Sequence, residues 1–287
     1  MPGTELRCGV SGGPDSLAML ALAVAAGCRA TAVHVDHGLR PGSTVEAEVV
    51  AAAASRLGAA FRAERVRVAP GPNLEARARN ARRAVLGEGA ATGHTMDDQA
   101  ETVLLNLLRG AAADGLAGMA PGPAHPVLGL RRAETHALCA ELGLEVVRDP
   151  TNDDRRFLRN RVRHELLPLC SAVAGRDVVP VLARQAEVLR ADVEVLEAMA
   201  GALDPTDGAA LAGAPEALAR RAVRRWLRAD GPHPPDLAGV ERVLGVARGE
   251  RRATDVAPAT RVRRTAGRLR AEPVACPDDA RGGPAVR

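Results

Sequence analysis

The sequence contains no lysine, isoleucine or tyrosine, and it has only two phenylalanines and one tryptophan. Lysine, isoleucine and tyrosine are all encoded by AT-rich codons, so we interpret their absence as a coding bias. The scarcity of aromatic rings does exclude one kind of surface, the platform on which successive bases of a single strand stack. In any nucleic-acid site, arginine would have to supply both the phosphate contacts and the stacking.

Cysteine is scarce too: there are five, an odd number, and none forms a CxxC spacing. This pattern argues against a disulfide scaffold, a zinc ribbon or an iron–sulfur cluster, and it indicates a reducing cytoplasm.

The longest apolar run, residues 17–26, has ten residues and is too short to span a bilayer. Glycines, a proline and an aspartate precede that run instead of a basic segment, so we expect neither a signal peptide nor a membrane partner.

With 46% hydrophobic and 26% charged residues in 287, the chain has the composition of a globular protein. Apolar patterns in the first half predict strands at 6–10, 31–35 and 61–68, which alternate with helices at 17–26, 45–57 and 74–86. Alternation of this kind predicts an α/β fold, a doubly wound parallel sheet that binds ligands at the carboxyl ends of its strands. Beyond residue 150 the spacing becomes helical, over 157–170, 181–203, 214–229 and 236–248, with a possible hairpin within 256–272.

The two halves also differ in charge. Residues 1–150 hold 15 arginines and 16 acidic residues, a net charge of −1, whereas residues 151–287 hold 24 and 19, a net charge of +5. A basic second half suggests contact with a polyanion, although arginine on solvated faces would give the same totals. We predict a catalytic domain at 1–170, a helical linker at 171–205, a small, mainly helical substrate-binding domain at 206–272 and a disordered tail at 273–287.

The strongest local signal is a loop between the first predicted strand and helix, which contains Ser11, Gly12, Gly13, Pro14, Asp15 and Ser16. Its two glycines let successive backbone N–H groups face an anion, and the helix N-terminus adds the positive end of its dipole. We therefore expect the loop to bind phosphate. It is not a Walker A loop, because no GK[ST] follows, and it lacks the third glycine of a dinucleotide fingerprint.

Two acidic residues, Asp98 and Glu101, are three positions apart on a predicted helix whose other face is apolar. Both carboxylates should therefore point the same way, toward the strand ends, where they would suit an ammonium ligand. The competing interpretation is that acidic residues at a helix start merely complement the dipole.

Asp36 directly follows a predicted strand, in a place suited to Mg²⁺ or a nucleotide. Five arginines lie within nine residues further along, a spacing that could match phosphates or simply form a solvated helix face. These arginines are Arg155, Arg156, Arg159, Arg161 and Arg163.

The loop resembles that of the N-type ATP pyrophosphatases, which split ATP into AMP and pyrophosphate. Further motifs follow in order: HVDHGLR at 34–40, NLEAR at 73–77, GHTMDDQAET at 93–102, DPTN at 149–152 and RNRVRHE at 159–165. Together they resemble the tRNA(Ile)-lysidine synthetase family, strongly over residues 6–170 and more weakly over 214–270. The chain looks like a short form of that family, without a further C-terminal domain.

That resemblance implies an enzyme that ligates free lysine to the wobble cytidine of an isoleucine tRNA with a CAU anticodon, using ATP and Mg²⁺. It implies that Asp98 and Glu101 hold lysine, that His94 lies close to the reacting phosphate, and that Asp15 belongs to the catalytic loop. The oligomeric state is left open, with a homodimer as one expectation.

Some features depart from the family pattern. Only residues 87–93 separate the third helix from His94, so the fourth strand should be very short or missing. Residues 120–126 are also a tight connection, and Arg83 stands where an aromatic residue is expected. Two alternatives therefore stay open: another adenylating enzyme, such as a tRNA thiolase or an amide synthetase, and a degenerate RNA-binding relative. The scattered cysteines count against the thiolase.

Overall fold

The computed structural model describes residues 2–36, 43–66, 74–147, 149, 154–229, 235–256 and 260–274. The chain divides into two compact units, residues 1–190 and 191–287. The predicted tail lies almost wholly outside the described residues, as do His37 and most of the DPTN motif. The predicted domain boundaries stay predictions.

The first unit is built on a four-stranded sheet in the order β3-β2-β1-β4, and every strand pair in it is parallel. The predicted doubly wound parallel α/β fold is therefore confirmed. Because the strands run the same way, their carboxyl ends share one edge of the sheet, where the predicted ligand loop lies. The strands are β1 (Glu5–Gly9), β2 (Arg29–Asp36), β3 (Ala60–Arg65) and β4 (Ala91–Thr92).

Helices connect and cover these strands. The first helix is apolar on nearly all sides, which suits its buried position between the sheet and the later helix at Arg132–Glu141. Cys139 on that later helix donates a hydrogen bond from Sγ to the carbonyl of Pro14. The helices are α1 (Pro14–Ala25), α2 (Ser43–Leu57), α3 (Leu74–Leu86), α4 (Met96–Leu108), α5 (Ala113–Leu116), α6 (Arg132–Glu141), α7 (Leu158–Arg161) and α8 (Leu167–Ala174). The next helix, α9 (Val179–Gly201), begins in the first unit and ends in the second.

Strand β4 has only two residues, as the short spacing before His94 predicts. Two left-handed glycines, Gly87 at φ 73° and Gly89 at φ 75°, turn the chain immediately after α3. The turn leaves room for just two ladder positions, Cys8 with Ala91 and Gly9 with Thr92. Those two pairs suffice to deliver the residues that follow β4 to the edge of the sheet where β1 ends.

The helix predicted over 157–170 is interrupted by a π-helical turn at Val162–Leu166, between α7 and α8. Pro168 has no N–H to donate to the carbonyl four residues back, and its ring crowds that carbonyl, so a widened turn there relieves the conflict. The π turn carries Arg163, which points into the site described below.

The second unit contains α10 (Gly208–Gly213), α11 (Glu216–Ala229), α12 (Leu237–Arg248) and a three-stranded antiparallel sheet. The strands are β5 (Ala253–Val256), β6 (Thr260–Thr265) and β7 (Arg268–Pro273). The hairpin predicted within 256–272 is present as β6 and β7, and it turns at Ala266 and Gly267, both with positive φ. Strand β5 was not predicted. Val262 and Leu269 pack into the helices, so the other face of the sheet is exposed.

Within the described residues, no single helix is long and apolar enough to cross a membrane. One pair of consecutive helices has a sufficient combined length and apolar composition, but the pair is bent.

Candidate active site

The loop between β1 and α1 is organised by the hydroxyl of Ser16. Its Oγ donates to the carbonyl of Gly13 at 2.8 Å, accepts from the backbone N–H of Ser11 at 3.2 Å, and lies 3.3 Å from Oγ of Ser11. These contacts tie the end of β1 to the first turn of α1. Gly13 caps α1 without a side-chain hydrogen bond, and Pro14 occupies the start of the helix. The first turn therefore presents backbone dipoles to whatever binds there.

Gly12 is required by the shape of this loop. Its φ is +86°, and a Cβ at this position would lie 2.6 Å from Cγ2 of Val147. The carbonyl of Gly12 accepts from the N–H of Val147 at 2.9 Å, so the two backbones are held in direct contact. A backbone concavity that only glycine permits, at a helix N-terminus, fits the phosphate groups of ATP.

Gly93 brings a second segment onto the loop. A Cβ on Gly93 would lie 2.6 Å from the carbonyl oxygen of Asp15 and 2.8 Å from Cα of Ser16. The chain leaving β4 therefore passes directly over the first turn of α1, and His94 follows one residue later. Gly93 lies within the motif at 93–102, whose local spacing does not reveal this contact.

Asp15 faces α6. Thr135 donates a hydrogen bond to Oδ1 of Asp15, Nε of Arg132 lies 3.6 Å from Oδ2, and Nε2 of His136 lies 3.9 Å from Oδ1. Burial raises the pKa of Asp15 above its ordinary value, and the Thr135 hydrogen bond and the charge of Arg132 offset part of that rise. Asp15 therefore links the loop to a helix that the sequence analysis did not identify.

His94 is neutral near pH 7. Burial lowers its pKa to about 4, and the nearby negative charge of Asp98 only partly opposes this effect. Its Nδ1 lies 2.8 Å from the hydroxyl of Thr92. His94 thus enters the site as an uncharged imidazole on the short segment between β4 and α4.

Asp98 and Glu101 do lie together, and both are buried on α4. Asp98 also forms a capping box with Thr95, whose N–H and hydroxyl each donate to Oδ2 of Asp98 at 2.9 Å. The helix-capping interpretation therefore holds for one carboxylate oxygen of Asp98, while the other oxygen faces Arg132 and Arg159. Binding of an ammonium group by this residue stays a prediction.

Three guanidinium groups surround this acidic pair. Arg132 lies 2.9 Å from Asp98 and 3.0 Å from Glu101, Arg159 lies 3.0 Å and 2.7 Å from the same two residues, and Arg163 lies 2.6 Å from Glu101. Burial alone would raise the pKa of Asp98, but the charges of Arg132 and Arg159 and the Thr95 N–H lower it to about 2. Asp98 is therefore firmly ionised at neutral pH.

The arginine run divides into two sets. Arg159 and Arg163 are four residues apart, so they share a helix face and reach the acidic pair. Arg155 and Arg161 instead pair with Glu165 on the exposed side, and Arg156 pairs with Asp154. The predicted phosphate-facing row is thus two surfaces, one inside the site and one in solvent.

Asp36 ends β2, with its side chain 14% exposed and 3.7 Å from Nε of Arg65. His34, two residues earlier on β2, is buried, and its Nδ1 lies 3.0 Å from the carbonyl of Val10, which fits a structural role. Among the described residues, no group of three His, Cys, Asp or Glu side chains could hold a metal ion. A single carboxylate at a strand end still suits Mg²⁺, which is bound in proteins by one or two carboxylates together with substrate phosphates.

Arg132 and Thr135, both on α6, were not predicted to be site residues. Neither belongs to a motif that was singled out, and the helix was not predicted. The run from Arg132 to Glu141 has the composition of a short amphipathic helix, and this periodicity was the available signal.

Comparison with known proteins agrees with this geometry. Residues 2–170 match the PP-loop domain family, and residues 207–270 match the TilS substrate binding domain. A tRNA(Ile)-lysidine synthase from Nocardia farcinica is 45% identical over 260 residues, which cover 84% of this chain and 82% of that protein. One from Mycolicibacterium paratuberculosis is 46% identical, covering 84% and 81%. The chain belongs to the tRNA(Ile)-lysidine synthase family. The predicted family, enzyme class and use of ATP by its PP-loop domain are thereby confirmed.

A solved structure shares the fold of the first part of this chain. The U34-tRNA thiolase NcsA from Methanococcus maripaludis, with its [4Fe-4S] cluster, superimposes with a TM-score of 0.53 at 17% identity, over 66% of this chain and 74% of that one. This likeness shows the PP-loop architecture alone. Within the described part of the present chain, none of the four cysteines forms a disulfide bond.

Proposed function

We propose that the protein catalyses the reaction for which its family is named, the ligation of lysine to C2 of the wobble cytidine in an isoleucine tRNA with a CAU anticodon. One observation carries the proposal: the guanidinium of Arg132 lies between Asp15 of the phosphate loop and the acidic pair Asp98 and Glu101. This contact supports a phosphate site and a site for a charged amino acid that would be adjacent, as a two-step ligation requires.

In the first step, O2 of the cytosine attacks the α-phosphate of ATP, pyrophosphate leaves, and the tRNA becomes adenylated. A carbonyl oxygen is a poor leaving group, and adenylation makes it a good one. The loop from Ser11 to Ser16 would hold the phosphates through backbone N–H groups and the N-terminus of α1. Asp36 would hold Mg²⁺, which offsets the growing charge on pyrophosphate when bound.

In the second step, the ε-amine of lysine attacks C2, the C2–O2 bond breaks, and AMP leaves with that oxygen, while the protons lost by the amine pass to solvent or to the departing phosphate. An amine with an ordinary pKa of about 10.4 arrives protonated and must lose a proton before it can attack. The charges of Arg132 and Arg159 lower the pKa of Asp98 to about 2, which keeps this carboxylate ionised and makes it a weak proton acceptor. We therefore assign Asp98 and Glu101 to holding lysine, and His94 to the reacting centre.

Three arginines already pair with the two acidic residues, so lysine would have to displace a guanidinium group in order to bind there. Lysine carries two ammonium groups and one carboxylate. Its carboxylate can pair with one of these guanidinium groups, and one of its ammonium groups can then pair with Asp98 or Glu101 in that guanidinium's place. Arg132, Arg159 and Arg163 would thereby act on lysine and not on tRNA phosphates. This assignment differs from the sequence-based expectation, in which Arg159 and Arg163 bind phosphates of the nucleic acid.

The tRNA would meet exposed arginines of both units. In the first unit these include Arg155 and Arg161, which pair with Glu165 on the exposed side of the helix and do not contact the acidic pair. In the second unit, the exposed face of the β5-β6-β7 sheet carries arginines that alternate with buried Val262 and Leu269. These arginines are Arg261, Arg263, Arg268 and Arg270. A row of guanidiniums matches a phosphate backbone without the aromatic platform that this sequence lacks.

The test is pyrophosphate release measured with ATP and each partner in turn. We expect pyrophosphate release to require the isoleucine tRNA. We also expect lysine to be incorporated only when that tRNA is present. Release that requires neither lysine nor tRNA would point to a small-molecule synthetase, and tRNA binding without any release would point to a degenerate relative. A cytoplasmic location and a homodimer remain predictions.

A further inference from the structure

The hydroxyl of Thr92 is shared by two imidazole rings. Its Oγ1 lies 2.8 Å from Nδ1 of His94 and 3.0 Å from Nδ1 of His125. The same oxygen also lies 3.1 Å from the carbonyl of Ala124. The two rings meet edge to face, with centroids 5.1 Å apart and planes at 81°.

The number of protons in this cluster restricts the state of each ring. A hydroxyl has one proton to donate and two lone pairs to accept with, and the carbonyl of Ala124 can only accept. When Thr92 donates to Ala124, both of its lone pairs are available, and each imidazole must bring its own proton on Nδ1. Every hydrogen-bonding capacity of the Thr92 hydroxyl is then used.

We propose that Thr92 and His125 are positioning residues that hold His94 in the neutral tautomer with its proton on Nδ1. His125 contributes by filling the second lone pair of Thr92, which directs the Thr92 proton to Ala124. Nε2 of His94 then carries a lone pair and accepts a hydrogen bond. The inference rests on the proposed function, in which His94 belongs to the reacting centre.

This tautomer selects the chemical group that His94 can serve. An unprotonated Nε2 can accept from an N–H of the incoming lysine amine, whereas a phosphate oxygen has no proton to offer it. His94 would therefore act in the lysine step more than in adenylation. Burial lowers the pKa of both His94 and His125, which keeps the rings neutral. The charged and titratable groups that act on His94 are Asp98, His125, Arg159 and Arg82.

The direct test is the tautomer of His94, measured by long-range ¹H–¹⁵N correlation NMR on the full chain labelled at histidine. The His94→Gln variant identifies the signal. His34 is an internal reference, since its Nδ1 faces a carbonyl and must carry a proton. We expect His94 to match His34 near pH 7, with the proton on Nδ1. A proton on Nε2 of His94 in the unaltered protein would overturn the proposal, whether or not any variant folds.

A Thr92→Val variant removes the hydroxyl and keeps the shape, and Thr92→Ser restores the hydroxyl. We expect Thr92→Val to shift His94 toward the other tautomer and to slow lysine transfer about 2- to 12-fold, the equivalent of one neutral hydrogen bond. Adenylation should change less than 2-fold, and Thr92→Ser should recover transfer. A His125→Phe variant should shift the His94 signal in the same direction.

Equal loss of both steps in Thr92→Val and Thr92→Ser would contradict a positioning role. The NMR result does not depend on turnover. If His94 carries its proton on Nδ1 while no lysine is transferred by the unaltered protein, the proposed function fails and the assigned tautomer stands.

Discussion

Nη2 of Arg132 lies 3.0 Å from Oε1 of Glu101, a side chain with no exposed surface, and 2.9 Å from Oδ1 of Asp98. With Arg159 and Arg163, three positive charges face two negative ones. A further cation is attracted to this cluster only when a guanidinium leaves the carboxylates. We expect lysine to bring about that exchange, because its own carboxylate can receive the guanidinium. Arg132 also reaches Asp15, so the exchange is made next to the phosphate loop.

The first prediction concerns the acidic pair. Asp98→Asn and Glu101→Gln keep the shape of each side chain and remove its charge. Losing a charge-assisted hydrogen bond costs about 1.5 to 3 kcal/mol, so lysine affinity should fall roughly 10- to 100-fold. Adenylation uses no lysine, and AMP–tRNA should therefore accumulate. The two products are measured separately, as labelled AMP–tRNA and as labelled lysine in tRNA.

Folding must be checked in these variants, since removing one partner from a buried ion pair costs about 3 to 5 kcal/mol. Thermal unfolding of each variant provides this control. If adenylation is lost first in folded protein, the carboxylates serve ATP or Mg²⁺ and our assignment to lysine is wrong.

The second prediction concerns two glycines. A Cβ at Gly12 would clash with Val147, and a Cβ at Gly93 would clash with the backbone of Asp15, so Gly12→Ala and Gly93→Ala should abolish pyrophosphate release. The matched control is Gly129→Ala, because nothing lies within 4 Å of a Cβ there. Pyrophosphate release by the Gly93→Ala protein at the rate of the Gly129→Ala control would refute the close approach of β4 to the loop.

The third prediction is a dependence of stability on pH. The pKa of His94 is about 4 in the folded protein, against an ordinary value of 6.5. Between these values the unfolded chain binds a proton that the folded chain does not. The free energy of unfolding should therefore be unaffected by this group above pH 6.5 and should fall by up to about 3 kcal/mol as the pH drops to 4.

Denaturant unfolding at pH 7.5 and pH 4.5 measures this effect. The His94→Gln variant should lose less stability between the two pH values than the unaltered protein. An identical loss in the unaltered and His94→Gln proteins would show that His94 is not the group responsible.

The fourth prediction separates the two arginine sets. Arg155→Ala and Arg161→Ala should weaken tRNA binding and each reduce the salt slope of the affinity by about 1, because each removes one exposed phosphate partner. Arg29→Ala is a matched control, since Arg29 is exposed and paired with Glu5 on the same unit. Equal salt slopes in all three variants would exclude Arg155 and Arg161 from the tRNA surface.

Much of the fold follows from the sequence because its signals are local. Periodicity and glycine placement predict the parallel sheet, and the seven residues before His94 predict that the fourth strand is very short or missing. The site depends on contacts between distant segments, which periodicity does not report. Val147 closes against Gly12, and Arg132 reaches Asp98, although each pair is far apart in sequence.

The arginine run shows the same limit at shorter range. A helical period already places Arg159 and Arg163 on one face and Arg161 on another. Which face turns inward depends on where α4 presents Asp98 and Glu101, and the sequence does not contain that information locally. The prediction of one phosphate-binding row therefore treated a two-sided helix as one surface.

The most direct measurement is mass spectrometry of the wobble nucleoside after incubation of the protein with ATP, lysine and the isoleucine tRNA. We predict that cytidine at the wobble position gains the mass of lysine less one water, and that the gain requires all three substrates. An unchanged cytidine in the presence of folded, tRNA-binding protein would contradict the proposed ligation, and a mass gain without lysine would show a different modification.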